Sequence, residues 1–153
     1  MAKKVIIDVD PGIDDAIALA IALFDPDLDV LAVTATGGNV SPEQATTNLQ
    51  AIVTYLDPPR TPRIGIATEN ANMPERALSM HGPDGLGGLN LPAVSLHGTH
   101  AAEKVMWETI KAHPREVTLL NLGPPTNLSR LLRRDPSIVE LLGDTILCGG
   151  TLH

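Results

Sequence analysis

The sequence predicts an α/β protein with a mainly parallel sheet covered by helices on both faces. Three observations predict it: apolar β-branched runs alternate with helix-like segments, the runs are apolar throughout, and turn residues follow them. The 153 residues correspond to a single α/β domain over residues 1–153. In such a sheet the ligand site lies at the carboxyl ends of the strands.

The first half of the chain contains three strands and two helices. The predicted strands are Lys4–Val9, Asp29–Thr36 and Arg63–Ala67, and the predicted helices are Asp14–Phe24 and Pro42–Leu56. The first helix is apolar almost all round, so we expect it to be buried. The second helix begins after Ser41, with Gln44 at the spacing of a capping box.

The second half begins with a polar, glycine-rich segment, Thr68–Leu96, which keeps neither helical nor strand periodicity. A connection of this length inside a compact domain is usually functional, so we expect a lid or site-lining loop. The remaining predicted elements are a helix at His100–Ala112, a strand at Glu116–Asn121, a helix at Thr126–Leu142 interrupted at Asp135-Pro136, and a strand at Asp144–Cys148. The prediction therefore has five strands.

Composition narrows the classes of partner. Eighteen Asp and Glu against eleven Lys and Arg give a net charge of −7 without any basic stripe, so we expect no nucleic acid partner. No apolar run approaches the ~20 residues of a membrane span, and we expect no membrane contact. The N-terminal segment lacks a signal-peptide core and Cys148 is the single cysteine, so we expect a cytoplasmic protein.

Four carboxylates, Asp8, Asp10, Asp14 and Asp15, lie within eight residues, from the end of the first strand to the first turn of the first helix. Carboxylates a few ångströms apart raise one another's pKa, and a hard divalent cation keeps them ionised. A phosphate-binding loop would instead carry a Lys and few acids. We therefore expect Ca²⁺ or Mg²⁺ here. The alternative is that Asp14 and Asp15 only complement the helix dipole and that Asp8 is an exposed strand residue.

Two other strand ends carry matching chemistry. Thr36–Asn39 follows the second strand, where two glycines allow close backbone approach and Asn39 offers a donor and an acceptor to a hydroxyl-bearing ligand. Asn121–Asn127 follows the fourth strand and is a rigid, proline-containing turn whose backbone carbonyls suit a hard cation. All three motifs are expected at one edge of the sheet.

Together these motifs resemble the nucleoside hydrolases, the inosine-uridine preferring N-ribohydrolases. The segment Asp8–Ala16 reads Asp-Val-Asp-Pro-Gly-Ile-Asp-Asp-Ala and is similar to the family signature. The segments Thr36–Asn39, His81–Gly87 and Asn121–Asn127 are similar to later family motifs in the same order, and the likeness covers all 153 residues. The resemblance implies a Rossmann-like nucleoside hydrolase fold.

The resemblance also implies an activity, which is calcium-dependent hydrolysis of the N-glycosidic bond of ribonucleosides to free base and ribose. By the same resemblance, Asp10 would accept a proton from the attacking water. His81 would border the substrate, although a surface loop histidine is an equally open interpretation. The resemblance implies that Ca²⁺ is bound by Asp10, Asp15 and the backbone carbonyl of Thr126. It implies that the substrate is bound by Asp14, Asn39 and His81.

One departure from the family pattern is length. Members run to about twice this length, and their Met-Gly-Gly segment is matched here by Cys148–Gly150, near the last residue. On the resemblance, the C-terminal half is absent, and with it the histidine that protonates the leaving base. Loss of a general acid typically costs ~10²–10⁴ in rate, so we expect weak or no activity from this chain alone. We also expect a homo-oligomer, because the last predicted strand would be an unpaired apolar edge and because the resemblance implies dimers or tetramers.

Two alternatives stay open at this point. One is a catalytically inactive truncated module that binds calcium and ribose. The other takes Asp8-Val9-Asp10 as the paired acids of a magnesium-dependent phosphatase of haloacid-dehalogenase type, although the residues after Asp10 fit that motif poorly. Base preference is left open by these motifs.

Overall fold

The computed structural model describes residues 1–68, 80–92 and 99–149. The strands in these ranges are β1 Lys3–Val9, β2 Leu28–Ala35, β3 Arg63–Ile66, β4 His100–Ala101, β5 Val117–Asn121 and β6 Asp144–Leu147. The helices are α1 Ile13–Phe24, α2 Pro42–Leu56, α3 Ala102–Ala112 and α4 Thr126–Arg134, and a 3₁₀ helix covers Pro136–Glu140.

These strands form one parallel sheet in the order β4-β3-β2-β1-β5-β6. The central strand β1 alternates between two cores: Val5, Ile7 and Val9 pack with residues of α1 and α2, whereas Ile6 packs with residues of α3 and α4. Helices therefore cover both faces of the sheet, which confirms the predicted fold class.

Several element boundaries differ from the prediction. His100 was expected to begin a helix, but His100–Ala101 instead pairs with Gly65–Ile66 of β3, so the described residues contain six strands rather than five. A two-residue strand is too short to produce a pattern in sequence, which explains the error. The predicted interruption at Asp135-Pro136 is confirmed, since α4 ends at Arg134 and only a 3₁₀ helix follows.

The predicted lid, Thr68–Leu96, is described only in part. Residues 80–92 form an ordered loop in which the Asp84 carboxylate accepts hydrogen bonds from the backbone N–H groups of Leu86 and Gly88. Residues 69–79 and 93–96 lie outside the described residues, as does His97.

The expectation that α1 is buried all round is wrong. Leu19, Ala22 and Leu23 face the core, but Ile13, Ile17, Ile21 and Phe24 are 41–65% exposed. A helix that packs on one face of a sheet keeps an outward side, and a uniformly apolar pattern does not show which side that is. The exposed side borders an apolar groove of about 460 Å³.

Neither α1 nor any other helix in the described ranges has the length and apolarity needed to cross a bilayer.

Candidate functional site

Three loops meet at the carboxyl edge of the sheet because β2, β1 and β5 are neighbours. The Thr36 N–H donates to the Val9 carbonyl at 2.8 Å, which holds the loop after β2 against the end of β1. The Leu122 N–H donates to the Asp8 carbonyl at 2.8 Å, which does the same for the loop after β5. The structure thus brings together the three motifs that the sequence predicts to share an edge.

Asp10 lies at the centre of this edge. Its Oδ2 accepts a hydrogen bond from the Asn39 N–H at 3.0 Å, and its backbone carbonyl accepts one from Asn39 Nδ2 at 2.9 Å. A β-carbon at position 38 would lie 2.2 Å from Asp10 Oδ2, and one at position 123 would lie 2.8 Å from Asp10 Oδ1. Gly38 and Gly123 are therefore needed to leave room for the carboxylate.

Asp15 is the second buried acid of the site and belongs to the first turn of α1. Its Oδ2 accepts a hydrogen bond from the Gly12 N–H at 3.3 Å, so the carboxylate turns back towards the loop. Burial raises the pKa of Asp15 to about 7, and the neighbouring charge of Asp10 acts in the same direction. Burial likewise raises the pKa of Asp10 to about 6, with a smaller contribution from the charge of Asp14.

The three residues predicted to bind substrate converge around Gly12. A β-carbon at this position would lie 2.7 Å from Asn39 Nδ2, 2.8 Å from Asp14 Oδ1 and 2.9 Å from His81 Nδ1. The Ile13 N–H donates to His81 Nδ1 at 3.3 Å, and the same nitrogen lies 3.8 Å from Asp14 Oδ1. The Asp14 side chain is 77% exposed and open to a ligand.

Asp10 and Asp15 offer carboxylate oxygens, the donor type that the hard cations Ca²⁺ and Mg²⁺ prefer. Burial is the main cause of their raised pKa values, and repulsion between neighbouring carboxylates adds to it, so a bound cation would favour the ionised form of both. Within residues 1–68, 80–92 and 99–149, no three His, Cys, Asp or Glu side chains gather as a metal-binding group. The residues fit a cation that takes further oxygen ligands from carbonyls, water or substrate.

Thr126 begins α4, and its N–H donates to the Pro124 carbonyl at 2.8 Å. The following residue, Asn127, is fully buried and donates from Nδ2 to the Asp8 carboxylate at 2.8 Å. The turn that carries Thr126 is thus attached to the central strand, while its role as a calcium ligand stays a prediction.

Sequence reasoning missed the supporting residues Asp8 and Asn48. Asp8 is fully buried, so the interpretation of it as an exposed strand residue is wrong. Asn48 on α2 donates to the Asp84 carbonyl at 2.7 Å and accepts from Gln44 Nε2 at 2.8 Å, which ties the 80–92 loop to the helix. The available signal was a polar residue at a position where the pattern requires an apolar one.

A parallel sheet covered on both faces, with acids gathered at its carboxyl edge, defines the class: α/β proteins that bind a ligand beside the strand ends. The family model of the inosine-uridine preferring nucleoside hydrolases matches residues 5–153, and the chain belongs to this family. The match includes the Asp8–Asp10 segment, so these acids belong to a nucleoside hydrolase motif and the phosphatase alternative is wrong.

Several similar proteins are named as nucleosidases or nucleoside hydrolases. Uridine nucleosidase 1 of Arabidopsis thaliana is 36% identical over 151 residues, covering 97% of this chain and 45% of that protein. The pyrimidine-specific ribonucleoside hydrolase RihA of Salmonella enteritidis PT4 is 37% identical over 157 residues, covering 99% of this chain and 50% of that protein. A purine-preferring ribonucleoside hydrolase from Gardnerella vaginalis superposes with a TM-score of 0.88 at 27% identity, covering 97% of this chain and 49% of that one. The chain spans about half the length of the curated relatives it matches.

Proposed function

We propose that this chain holds Ca²⁺ and the ribose of a ribonucleoside in order to hydrolyse the N-glycosidic bond. The observation that carries the proposal is the pairing of Asp10 and Asp15, two largely buried acids with raised pKa values at the carboxyl edge of the sheet. The names of the relatives, which are nucleosidases and ribonucleoside hydrolases, support the same reaction class.

Asp10 and Asp15 would hold the cation, with the backbone carbonyl of Thr126 as a further oxygen ligand. Ca²⁺ takes six to eight oxygen ligands, so water and ribose hydroxyls would complete the shell. A bound divalent cation would lower the pKa of a water molecule and orient the sugar.

The side chains of this chain would then position the sugar and accept the proton. Asp10, whose pKa is about 6 before any cation binds, is close to the range in which a carboxylate acts as a general base. The Asp14 carboxylate accepts, and the Asn39 amide both donates and accepts, which suits the ribose hydroxyls. His81 would border the same space. The carboxylates would also stabilise an oxocarbenium-like transition state.

Release of reducing sugar from inosine, uridine and cytidine, measured with Ca²⁺ and with a chelator, tests this proposal. We expect at most weak turnover, which the chelator abolishes and which Asp10→Ala lowers by at least ~10²-fold, because the proposed general base and a proposed metal ligand are lost together. Full activity of Asp10→Ala, or turnover unaffected by the chelator, contradicts the mechanism. The nucleoside panel is needed because the relatives are named as both purine-preferring and pyrimidine-specific.

A second candidate is a calcium- and ribose-binding module without turnover. It is favoured because, in the part of the chain that the structure describes, no three His, Cys, Asp or Glu side chains are placed to hold a metal ion together. Calcium binding in calorimetry without sugar release from any nucleoside supports this candidate. The homo-oligomer likewise stays a prediction, which light scattering of the purified chain checks.

A further inference from the structure

A buried carboxylate that the proposed chemistry does not use lies directly beneath the site. Asp8 belongs to β1, and its neighbours in register are Thr34 of β2 and Asn121 of β5. All three side chains are almost completely buried. A buried carboxylate is costly unless hydrogen bonds satisfy it, so the partners of Asp8 show what the residue holds in place.

The Asp8 side chain joins a neighbouring strand to a helix. Its Oδ1 accepts hydrogen bonds from Thr34 Oγ1 at 2.6 Å and from Asn127 Nδ2 at 2.8 Å. Asn127 Nδ2 also donates to the Ala35 carbonyl at 2.9 Å, so both amide protons of Asn127 are engaged. The first turn of α4 is thereby attached to β1 and β2 at the point where the strands end.

The backbone of Asp8 holds the other end of the same turn. Its carbonyl accepts from the Leu122 N–H at 2.8 Å and from the Gly123 N–H at 3.3 Å. One residue therefore secures both ends of the segment from Leu122 to Asn127, here called the 122–127 turn. That turn places Gly123 against Asp10 Oδ1 and carries Thr126, the predicted carbonyl ligand.

We propose that Asp8 is a positioning residue: through Asn127 it fixes the 122–127 turn, and with it the Thr126 carbonyl, relative to Asp10. This inference rests on the proposed function for its link to calcium. A carboxylate suits the role because one of its oxygens can accept hydrogen bonds from Asn127 and Thr34 at the same time. Thr34 donates to the same oxygen but belongs to β2 and not to the turn, so it distinguishes positioning of the turn from simple satisfaction of a buried acceptor.

Three variants test the inference. Asp8→Ala removes the acceptor, Asn127→Leu removes the donor at similar shape, and Thr34→Val removes the other donor to the same oxygen. Calcium affinity by calorimetry is expected to fall ~10- to 100-fold in the first two, as is usual when a supporting contact of a metal site is lost. Amide hydrogen exchange of the 122–127 turn, measured without metal, is expected to be about tenfold faster in the same two variants. Thr34→Val should leave both quantities close to wild type.

Equal effects in all three variants would show a merely structural role, and unchanged affinity and exchange in Asp8→Ala and Asn127→Leu would also overturn the inference. If Asp8→Ala does not fold, Asn127→Leu decides, because it breaks the same hydrogen bond from the other side. If the wild-type chain binds no calcium, the proposed function fails, and hydrogen exchange alone then decides the role of Asp8.

Discussion

Two groups of carboxylates in this protein have opposite surroundings. Asp10 and Asp15 lie at the carboxyl edge of the sheet, where burial and mutual repulsion raise the pKa of both. Asp135 lies between α3 and the 3₁₀ helix, where hydrogen bonds from Ser137, Trp107 and Lys111 lower its pKa. Burial thus disfavours the charged form of the first pair, whereas donors and a lysine favour the charged form of Asp135.

Three side chains of the protein contact the Asp135 carboxylate. Its Oδ1 accepts from Ser137 Oγ at 2.6 Å, and its Oδ2 accepts from Trp107 Nε1 at 2.9 Å and lies 3.1 Å from Lys111 Nζ. Asp10 and Asp15 instead receive backbone N–H groups and face each other's charge. An acid satisfied in this way stabilises the fold, while buried acids that repel each other would gain from a bound cation, as the proposed function requires.

The largest expected effect comes from removing one charge of the edge pair. Asp10→Asn should lower calcium affinity by at least ~10²-fold, since it replaces a proposed ligand and removes its charge. The same change should raise the melting temperature of the metal-free chain by a few degrees, because Asp15 then loses its repulsive neighbour. Calorimetry and thermal unfolding in a chelator measure the two quantities.

Asp135→Asn is the matched control for this contrast. It is expected to lower the melting temperature and to leave calcium affinity unchanged, because it weakens the contacts with Trp107 and Lys111 far from the edge pair. Two variants that change stability in the same direction would mean that the distinction between the two groups of acids is wrong.

A second test alters the space around Asp10 without altering charge. In Gly38→Ala the new β-carbon would lie 2.2 Å from Asp10 Oδ2, so the carboxylate must move. We expect calcium affinity to fall ~10- to 100-fold. Gly149→Ala is the control, since a β-carbon there meets no atom within 4 Å. Equal affinities of the two variants in calorimetry would show that the position of Asp10 does not matter.

Much of the fold could be predicted because strand and helix periodicities differ and because turn residues separate them. The pattern could not reveal β4, whose two residues pair with β3 only in three dimensions. It also could not reveal the open face of α1, because an apolar residue contributes the same signal whether it contacts a core or solvent. Both errors concern tertiary contacts rather than local preference.

In the candidate site too, local sequence signals could be predicted and tertiary contacts could not. Asp10, Asp14, Asp15 and Asn39 could be predicted because they follow strands and the topology brings strand ends together. The supporting role of Asp8 could not, since it depends on Asn127, which is 119 positions away. Sequence therefore indicates which chemical groups meet at the edge, whereas the structure shows what holds them there.

A smaller effect is expected on the Asp135 side of the comparison. Trp107→Phe removes the indole N–H that donates to Asp135 Oδ2 and keeps an aromatic ring beneath Lys111, whose Nζ lies 4.3 Å from the ring centroid. We expect the melting temperature to fall by about 2–4 °C, with calcium affinity unchanged. A lower calcium affinity in this variant would show that the two regions are coupled.

The two kinds of acid also differ in how stability depends on pH in the absence of metal. Asp10 and Asp15 have an ordinary pKa of 3.8 and folded values of about 6 and 7, so between pH ~4 and ~7 the folded chain binds more protons than the unfolded chain. Their contribution to stability therefore declines as pH rises through this range and is level above it. For Asp135, whose folded pKa is lowered, stability is instead lost as the solution becomes acidic, below its ordinary value.

The paired variant Asp10→Asn/Asp15→Asn isolates the first contribution from the titration of every other group. Its melting temperature, subtracted from that of the wild type at each pH from 5 to 8 in a chelator, should give a difference that grows in favour of the variant as pH rises. Saturating Ca²⁺ should reverse the sign for the wild type, because the cation stabilises the two charges that otherwise repel. A difference that does not change between pH 5 and pH 8 would mean that the pKa values of Asp10 and Asp15 are not raised, and the contrast with Asp135 would then be wrong.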